Sequence, residues 1–176
     1  MRAVPITVTA LAAALLLTAC SGGDNSDDSG SGGTESKAAG AACALGDLTQ
    51  QVDASAAPAA GDTGTVTVTI TNKGAECTLD GFPTVDLHAG DTSATVPKDE
   101  AAEAQKLTLA EQGTTSFTIT YARGASGAES LAVKTVKYSL PGATEAESFN
   151  WSYGDVALKG ESAPDASVSA FQQAGD

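Results

Sequence analysis

The stretch Thr65-Val66-Thr67-Val68-Thr69-Ile70-Thr71 decides the fold class of this chain. Apolar and polar residues alternate strictly along it, which is typical of a β-strand with one buried and one solvated face. Threonine suits the solvated face because its β-branched side chain favours extended backbone. The stretch therefore predicts a strand whose Val66, Val68 and Ile70 side chains point into a core.

Similar short apolar patterns, separated by turn residues, lie on both sides of this strand. Upstream, Leu45, Leu48 and Val52 predict a first strand that ends at Pro58. Further strands are predicted at 85–87, 94–97, 115–121, 131–140, 149–153 and 156–158. With seven or eight short strands and no amphipathic helix, the sequence predicts an all-β, immunoglobulin-like antiparallel sandwich. A small β-barrel is the alternative.

The predicted strand at 131–140 changes phase along its length. Leu131 and Val133 alternate, but Val136 and Tyr138 have the opposite parity. A β-bulge near Lys134 would place both sets of apolar side chains on the same face of the sheet.

Near the N-terminus, Leu17-Thr18-Ala19-Cys20 resembles the lipobox of bacterial lipoproteins. It follows a basic residue, Arg2, and an apolar run of about 12 residues, which is shorter than the roughly 20 that a bilayer-spanning helix needs. The resemblance implies that the leader is removed and that Cys20 is acylated, which would hold an exported protein on the cell membrane. An ordinary signal peptide followed by a chance cysteine is the alternative.

These features divide the chain into four parts. Residues 1–19 are the predicted signal peptide, and 20–42 combine the lipidated cysteine with an acidic Ser/Gly tether that has too few apolar residues to fold. Residues 43–160 form the predicted β-sandwich domain, and 161–176 a flexible tail. A loose calcium-loop pattern in the tether lacks the required glycine at Ser29, so we interpret it as solvated linker.

Composition narrows the kinds of partner. The chain carries a net charge of −13, and loss of Arg2 with the leader would make it more negative still. Such acidity argues against nucleic-acid binding and against electrostatic adhesion to anionic lipid. We expect contact with the membrane only through the lipid on Cys20.

The chain has three cysteines. If Cys20 carries lipid, Cys43 and Cys77 remain in an exported domain, where the surroundings are oxidising. We therefore predict a disulfide between them, tying the first strand to the loop after the strand at 65–71. Two buried free thiols are the alternative.

The run from Thr71 to Pro83, Thr-Asn-Lys-Gly-Ala-Glu-Cys-Thr-Leu-Asp-Gly-Phe-Pro, resembles the signature of domain-of-unknown-function family 4232. The resemblance covers about 43–158 and includes the leading Cys43 and a later Leu-Pro-Gly at 140–142. Gln112, in Glu-Gln-Gly, stands where the family commonly has a Pro-Gly turn. Family members occur largely in exported proteins and lipoproteins of high-GC Gram-positive bacteria, so the resemblance implies fold and location but no activity.

The sequence contains no catalytic or metal-binding signature. Its one histidine, His88, is predicted to point outward from a strand, without the convergent ligands of a zinc site or a nucleophile to activate. We therefore predict no catalytic residues, no metal and no cofactor. Paired carboxylates stay open, because acidic residues are plentiful and no spacing selects a pair.

We expect a binding or structural module of the cell envelope rather than an enzyme. An envelope protein or wall polymer is the expected partner. The alternatives are a small-ligand or wall-polymer binding protein and, less favoured, a carboxylate-based hydrolase. Gly81, Phe82 and Pro83 form the candidate interaction surface, although Phe82 could instead be a plug at the edge of the core. Trp151 could likewise be buried between sheets or available for binding.

Overall fold

A computed structural model describes residues 40–160 and 162–173. Within these ranges, no helix has the length and apolar character needed to cross a bilayer. The described residues contain a 3₁₀ helix at Leu45–Asp47 and fourteen short strands. The strands are β1 Leu48–Ser55, β2 Thr63–Asn72, β3 Cys77–Asp80, β4 Thr84–Ala89, β5 Thr92–Thr95, β6 Lys106–Leu109, β7 Thr114–Ala122, β8 Ser130–Leu131, β9 Thr135–Ser139, β10 Glu147–Asn150, β11 Val156–Lys159, β12 Ala163–Pro164, β13 Ala166–Val168 and β14 Gln172–Gln173.

The predicted strand at 65–71 lies in the middle of the first sheet. This sheet has the order β1-β2-β7-β13, with β14 also paired to β7, and all its pairs are antiparallel. Along the β2–β7 ladder, Val66 lies opposite Ile119 and Val68 opposite Phe117. These four side chains are almost completely buried, which confirms the predicted inward face.

A second sheet, β10-β9-β4-β5, supplies the other half of the core. Its buried Val85, Leu87 and Tyr138 belong to the same hydrophobic cluster as the inward face of the first sheet. The ring centroids of Phe117 in β7 and Tyr138 in β9 are 5.2 Å apart. The described chain therefore forms an all-β, sandwich-like fold, as predicted, and its sheets do not close into a barrel.

The prediction of one continuous strand at 131–140 is wrong. β8 pairs with β11 in a small sheet, β12-β11-β8, whereas β9 pairs with β4 and β10 in the second sheet. The chain passes from one sheet to the other across residues 132–134, and this passage, not a bulge, resets the alternation. The apolar residues on both sides of the break are nevertheless buried, as expected: Leu131, Val133, Val136, Tyr138 and Leu140.

The prediction of a flexible tail from 161 is wrong for the described residues 162–173. β13 pairs antiparallel with β7 and extends the first sheet, and its Ala166 and Val168 are buried. Phe171 is also buried, with its ring centroid 5.7 Å from that of Phe117. The tail is ordered because its few apolar residues complete the core, and the β domain therefore extends past 160.

Two other predicted strands have different bounds. β5 begins at Thr92 and ends at Thr95, and β10 ends at Asn150, so Trp151 and Tyr153 follow that strand instead of lying in it. Cys77, which we predicted in a loop, is the first residue of β3, and this strand pairs with β6.

The two flanks of the sandwich are closed in different ways. On one flank, the backbone N–H of Val168 in β13 donates to the carbonyl of Pro97 at 2.9 Å, and the N–H of Asp99 donates to the carbonyl of Val168 at 2.9 Å. On the other flank, the side-chain amide of Gln50 in β1 donates to the carbonyl of Ser148 in β10 at 3.1 Å. The first flank is therefore joined by backbone hydrogen bonds, and the second is bridged by a side chain.

We predict that ionisation of Tyr138 weakens the fold at alkaline pH. Burial raises the pKa of the Tyr138 hydroxyl above its ordinary value of 10.0, and the nearby charge of Glu147 raises the pKa further. Above about pH 10 the unfolded chain loses this proton while the folded chain retains it, so the free energy of unfolding falls by up to about 1.4 kcal/mol per pH unit. Urea unfolding of the wild type and Tyr138→Phe between about pH 8 and 11 measures this loss.

The difference between the two proteins isolates the Tyr138 contribution, because the other alkaline titrations are common to both. The wild type should lose more stability than Tyr138→Phe above about pH 10 and the same amount below it. Equal slopes for the two proteins over the whole range would contradict the prediction.

Candidate functional site

The predicted interaction loop, Gly81-Phe82-Pro83, connects β3 to β4. Gly81 has a φ of +115°, a backbone conformation that residues with a Cβ rarely adopt. Pro83 is buried and Phe82 is half-buried. The loop is therefore fixed to the domain at Pro83 and leaves part of the Phe82 ring accessible.

The loop adjoins the turn that contains Leu140, Pro141 and Gly142. A Cβ placed on Gly81 would lie 3.7 Å from both Cβ and Cγ of Pro141, which is ordinary van der Waals contact. Leu140, the residue before Pro141, is buried. The fold thus brings together the Gly-Phe-Pro and Leu-Pro-Gly segments, which are far apart in the chain.

Lys98 covers part of the Phe82 ring. Its Nζ lies 5.1 Å from the ring centroid, within the range of a cation–π interaction, which contributes about 0.5–1 kcal/mol at exposed sites. Lys98 is held in place by an isolated parallel bridge to Val168. The loop therefore presents an aromatic ring and a positive charge side by side on an acidic domain.

The side chain of Asn72, at the end of β2, organises the region beside β3. It is completely buried, and its amide nitrogen lies 2.9 Å from the carbonyl oxygen of Ala75 and 3.1 Å from that of Leu109. Its Oδ1 accepts a hydrogen bond of 3.0 Å from the N–H of Gly74. Asn72 thus closes the turn after β2 and ties it to the end of β6.

Sequence reasoning placed Asn72 only in the run from Thr71 to Pro83 that resembles the family signature. The signal that could have identified its role is parity, because position 72 continues the inward series of Val66, Val68 and Ile70. A polar residue at an inward position must find hydrogen-bond partners in the core. The short separation from Gly74 further indicates that the turn supplies one of them.

The predicted disulfide is present between Cys43 and Cys77, with 4.9 Å between their Cα atoms. Both residues are buried. Its attachment points differ from the prediction, because Cys43 precedes the 3₁₀ helix and Cys77 is the first residue of β3. Backbone bonds reinforce the link, since the N–H of Cys43 donates to the carbonyl of Thr78 at 3.0 Å.

His88 lies on β4, opposite Ser93 of β5 and Thr135 of β9. It is half-buried and alternates with the buried Val85 and Leu87. Within the described ranges, no group of three or more His, Cys, Asp or Glu side chains is arranged to hold a metal ion.

The Trp151 side chain belongs to the core. It is buried, its ring centroid is 4.9 Å from those of both Tyr121 and Tyr153, and its indole N–H donates to the carbonyl of Gly154 at 2.7 Å. The hydroxyl of Tyr121 donates to the carbonyl of Tyr153 at 2.8 Å. Of the two readings offered by the sequence, burial is the one the structure adopts.

A recess of about 550 Å³ opens beside the small-residue loop 124–130. Arg123 lines it, but its guanidinium donates to the carbonyls of Ala57 at 2.8 Å and Pro58 at 2.9 Å. The arginine is therefore used to hold the β1–β2 connection, and it does not converge on the recess as a ligand-binding charge would.

The arrangement of these segments agrees with a comparison against protein families. Residues 43–172 match the model of a domain of unknown function, DUF4232. The chain belongs to the DUF4232 family. No curated protein and no solved structure matches it.

Several residues of the Thr71–Pro83 run in this DUF4232 domain stabilise the fold. Asn72 satisfies the turn after β2, Cys77 joins Cys43, and Gly81 sits against Pro141. The residues of this run therefore lie at one end of the sandwich, where β2, β3, β6 and the loop before β4 meet. Only Phe82 combines membership of this signature with an accessible aromatic surface, which leaves it as the candidate contact residue.

We predict that Asn72→Ala lowers the free energy of unfolding by about 2–4 kcal/mol, because it leaves the carbonyl of Leu109 and the N–H of Gly74 without their partner. Asn150→Ala is the matched control: Asn150 is exposed, so the same truncation should change stability by at most about 0.5 kcal/mol. Chemical denaturation measures both. Equal effects of the two substitutions would show that the buried amide is not a stability determinant.

Proposed function

We propose that this protein is a lipoprotein of the cell envelope, acylated at Cys20 and held outside the membrane, whose DUF4232 domain acts by binding. Cys20 lies outside the described residues, so its role rests on the sequence Leu17-Thr18-Ala19-Cys20. The partner we propose is an envelope protein or wall polymer.

The observation that carries the proposed location is the buried Cys43–Cys77 disulfide. Disulfides form and persist in oxidising compartments and are rare in the bacterial cytosol. The bridge closes a sequence separation of 34 residues, which the chain-entropy model rates at roughly 3–4 kcal/mol. The stability of such a domain is typically about 5–15 kcal/mol, so the disulfide supplies a large share of it. Export to an oxidising compartment, where the disulfide forms, therefore supports folding.

Binding is favoured over catalysis because the thiols of the domain and its Arg123 guanidinium are used by the fold. Cys43 and Cys77 are joined to each other, and the Arg123 guanidinium binds the carbonyls of Ala57 and Pro58. The accessible part of the Phe82 ring, with Lys98 over it, offers a contact surface instead. We propose this Gly81-Phe82-Pro83 loop as a contact site for the partner.

We predict that the mature chain begins at an acylated Cys20. Mass spectrometry of the protein extracted from the membrane fraction should show a diacylated or triacylated N-terminal cysteine. Cys20→Ser should abolish acylation and remove the protein from the washed membrane fraction, because two or more acyl chains are needed for stable anchoring. Ser21→Ala is the matched control and should remain anchored.

A mature N-terminus at another residue, or a Cys20→Ser protein that stays in the membrane fraction, would contradict the anchoring.

The Cys43–Cys77 disulfide of the domain is tested by thiol titration under denaturant without reductant. Fewer than one reactive thiol per acylated chain is expected, and two would show that Cys43 and Cys77 are not paired.

We predict that Phe82→Ala removes the contact made by the loop while lowering stability by only about 1 kcal/mol, since the ring is half-buried. Crosslinking in intact cells, with equal amounts of anchored wild type and variant, should lose its specific adduct in Phe82→Ala. Leu158→Ala is the matched control, because Leu158 is also half-buried but lies on β11, outside both proposed contact surfaces. Loss of several kcal/mol in Phe82→Ala would instead assign Phe82 to the core.

A further inference from the structure

Strand β1 forms an edge of the first sheet and, within the described chain, pairs with β2 alone. The N–H of Lys73 donates to the carbonyl of Asp47 at 2.8 Å, which fixes the alternation of the ladder. The N–H and C=O groups of Thr49, Gln51 and Asp53 therefore face β2. Those of the residues between them face away from β2, toward the open flank.

The outward groups belong to Gln50, Val52 and Ala54. Over its eight residues, β1 keeps an unbroken register with β2 and contains no proline, glycine or lysine. Natural sheet edges are usually blocked by such residues, by bulges or by a covering segment. The opposite edge of the same sheet is covered, since Val168 of β13 bonds to the backbone of Pro97 and Asp99. β1 is thus a long, regular edge that retains the geometry to pair with another strand.

The surface beside this edge is apolar and contains one unpaired acceptor. Leu48, Val52 and Phe149 are half-buried and pack against the core from this flank. The side-chain amide nitrogen of Gln50 is bonded to the carbonyl of Ser148, but its Oε1 is buried and has no hydrogen-bond partner among the described residues. A buried acceptor without a donor is unfavourable by about 1–3 kcal/mol, so a Gln50 side chain that rotates to accept an N–H from an added strand becomes more stable.

The charges of this flank select among extended ligands. The two edge strands carry Asp53 and Glu147 and contain no lysine or arginine, and the whole chain has a net charge of −13. A basic side chain opposite Asp53 would form a favourable cross-strand pair. A second copy of this chain would instead bring an equally acidic edge and a like net charge.

We infer that β1 accepts an extended, basic peptide segment of a partner protein by strand addition. The backbone of the segment pairs with Gln50, Val52 and Ala54. Its apolar side chains alternate toward Leu48 and Phe149, and its basic side chains lie on the outer face with Asp53. This surface is separate from the Phe82 loop, and the inference rests on the proposed function only in that the domain acts by binding.

The test uses the full chain and, as probe, an eight-residue peptide of alternating valine and lysine, (Val-Lys)₄. Amide hydrogen exchange followed by NMR should show Gln50, Val52 and Ala54 exchanging freely without peptide and protected with it. Thr49, Gln51 and Asp53, which bond to β2, should be protected in both states. Saturable binding is expected below about 1 mM, the range of weak but specific complexes.

Ala54→Pro removes an outward N–H without touching the β1–β2 ladder, at an exposed position where edge strands tolerate proline. This substitution should weaken the binding of (Val-Lys)₄ at least tenfold, while the thermal midpoint of the protein stays close to that of the wild type. If this variant does not fold, the wild type with a (Val-Lys)₄ peptide N-methylated at alternate residues gives the same information. Attraction by charge alone would survive both changes and would overturn the inference.

Asp53→Lys is the specificity test. It should weaken binding of (Val-Lys)₄ and reduce its advantage over (Val-Glu)₄ relative to the wild type, because the cross-strand partner of the basic side chain is replaced by a like charge. An unchanged preference, or no saturable binding of (Val-Lys)₄ to the wild type, would overturn the inference.

Two further outcomes also overturn it. Protection of Gln50, Val52 and Ala54 without peptide that grows with protein concentration would assign the edge to a second copy. Protection independent of concentration would show that another segment of this chain already occupies it. Both readouts are independent of Cys20 acylation, so failure of the anchoring leaves this test unaffected.

Discussion

The antiparallel ladder between β2 and β7 is the interaction on which the rest of the structure depends. It places Val66 against Ile119 and Val68 against Phe117, so a continuous apolar face is available for the second sheet. The neighbouring elements are arranged around this ladder. β1 pairs with β2, β13 pairs with β7, and Tyr138 of the second sheet packs on Phe117. Since β1 and β13 pair with this ladder and the second sheet packs on it, a defect there would remove the support of both sheets.

One end of the ladder is fixed by groups that are polar or covalent instead of apolar. Asn72 replaces the next apolar residue of the inward series and bonds to the backbone of Gly74 and Leu109. The Cys43–Cys77 disulfide joins the chain before β1 to β3 at the same region. Residues of this kind specify one arrangement, because a buried amide tolerates few alternative partners. The run from Thr71 to Pro83, by which the chain resembles the family, therefore includes several residues that maintain the fold.

The other important property is the difference between the two flanks. The flank at β13 is joined through the backbone of Pro97 and Asp99, which uses the hydrogen-bonding groups of the edge. The flank at β1 is bridged by the Gln50 side chain and leaves backbone groups directed outward. A sandwich that closes one edge and keeps the other regular has a defined place to add a strand. This is a physical basis for the binding role that we propose for the domain.

The sequence by itself determined the fold class, the inward face of β2 and β7, and the pairing of Cys43 with Cys77. These depend on local alternation or on the small number of thiols, both of which can be read along the chain. Only the tertiary structure decided that residues 131–140 divide between two sheets, that the C-terminal residues up to 173 complete the core, and that Gly81 meets Pro141. It also decided which edge of the first sheet, among the described strands, has a neighbour on one side only. These features depend on contacts between distant segments, and periodicity reports only which residues are buried, not which strand lies beside them.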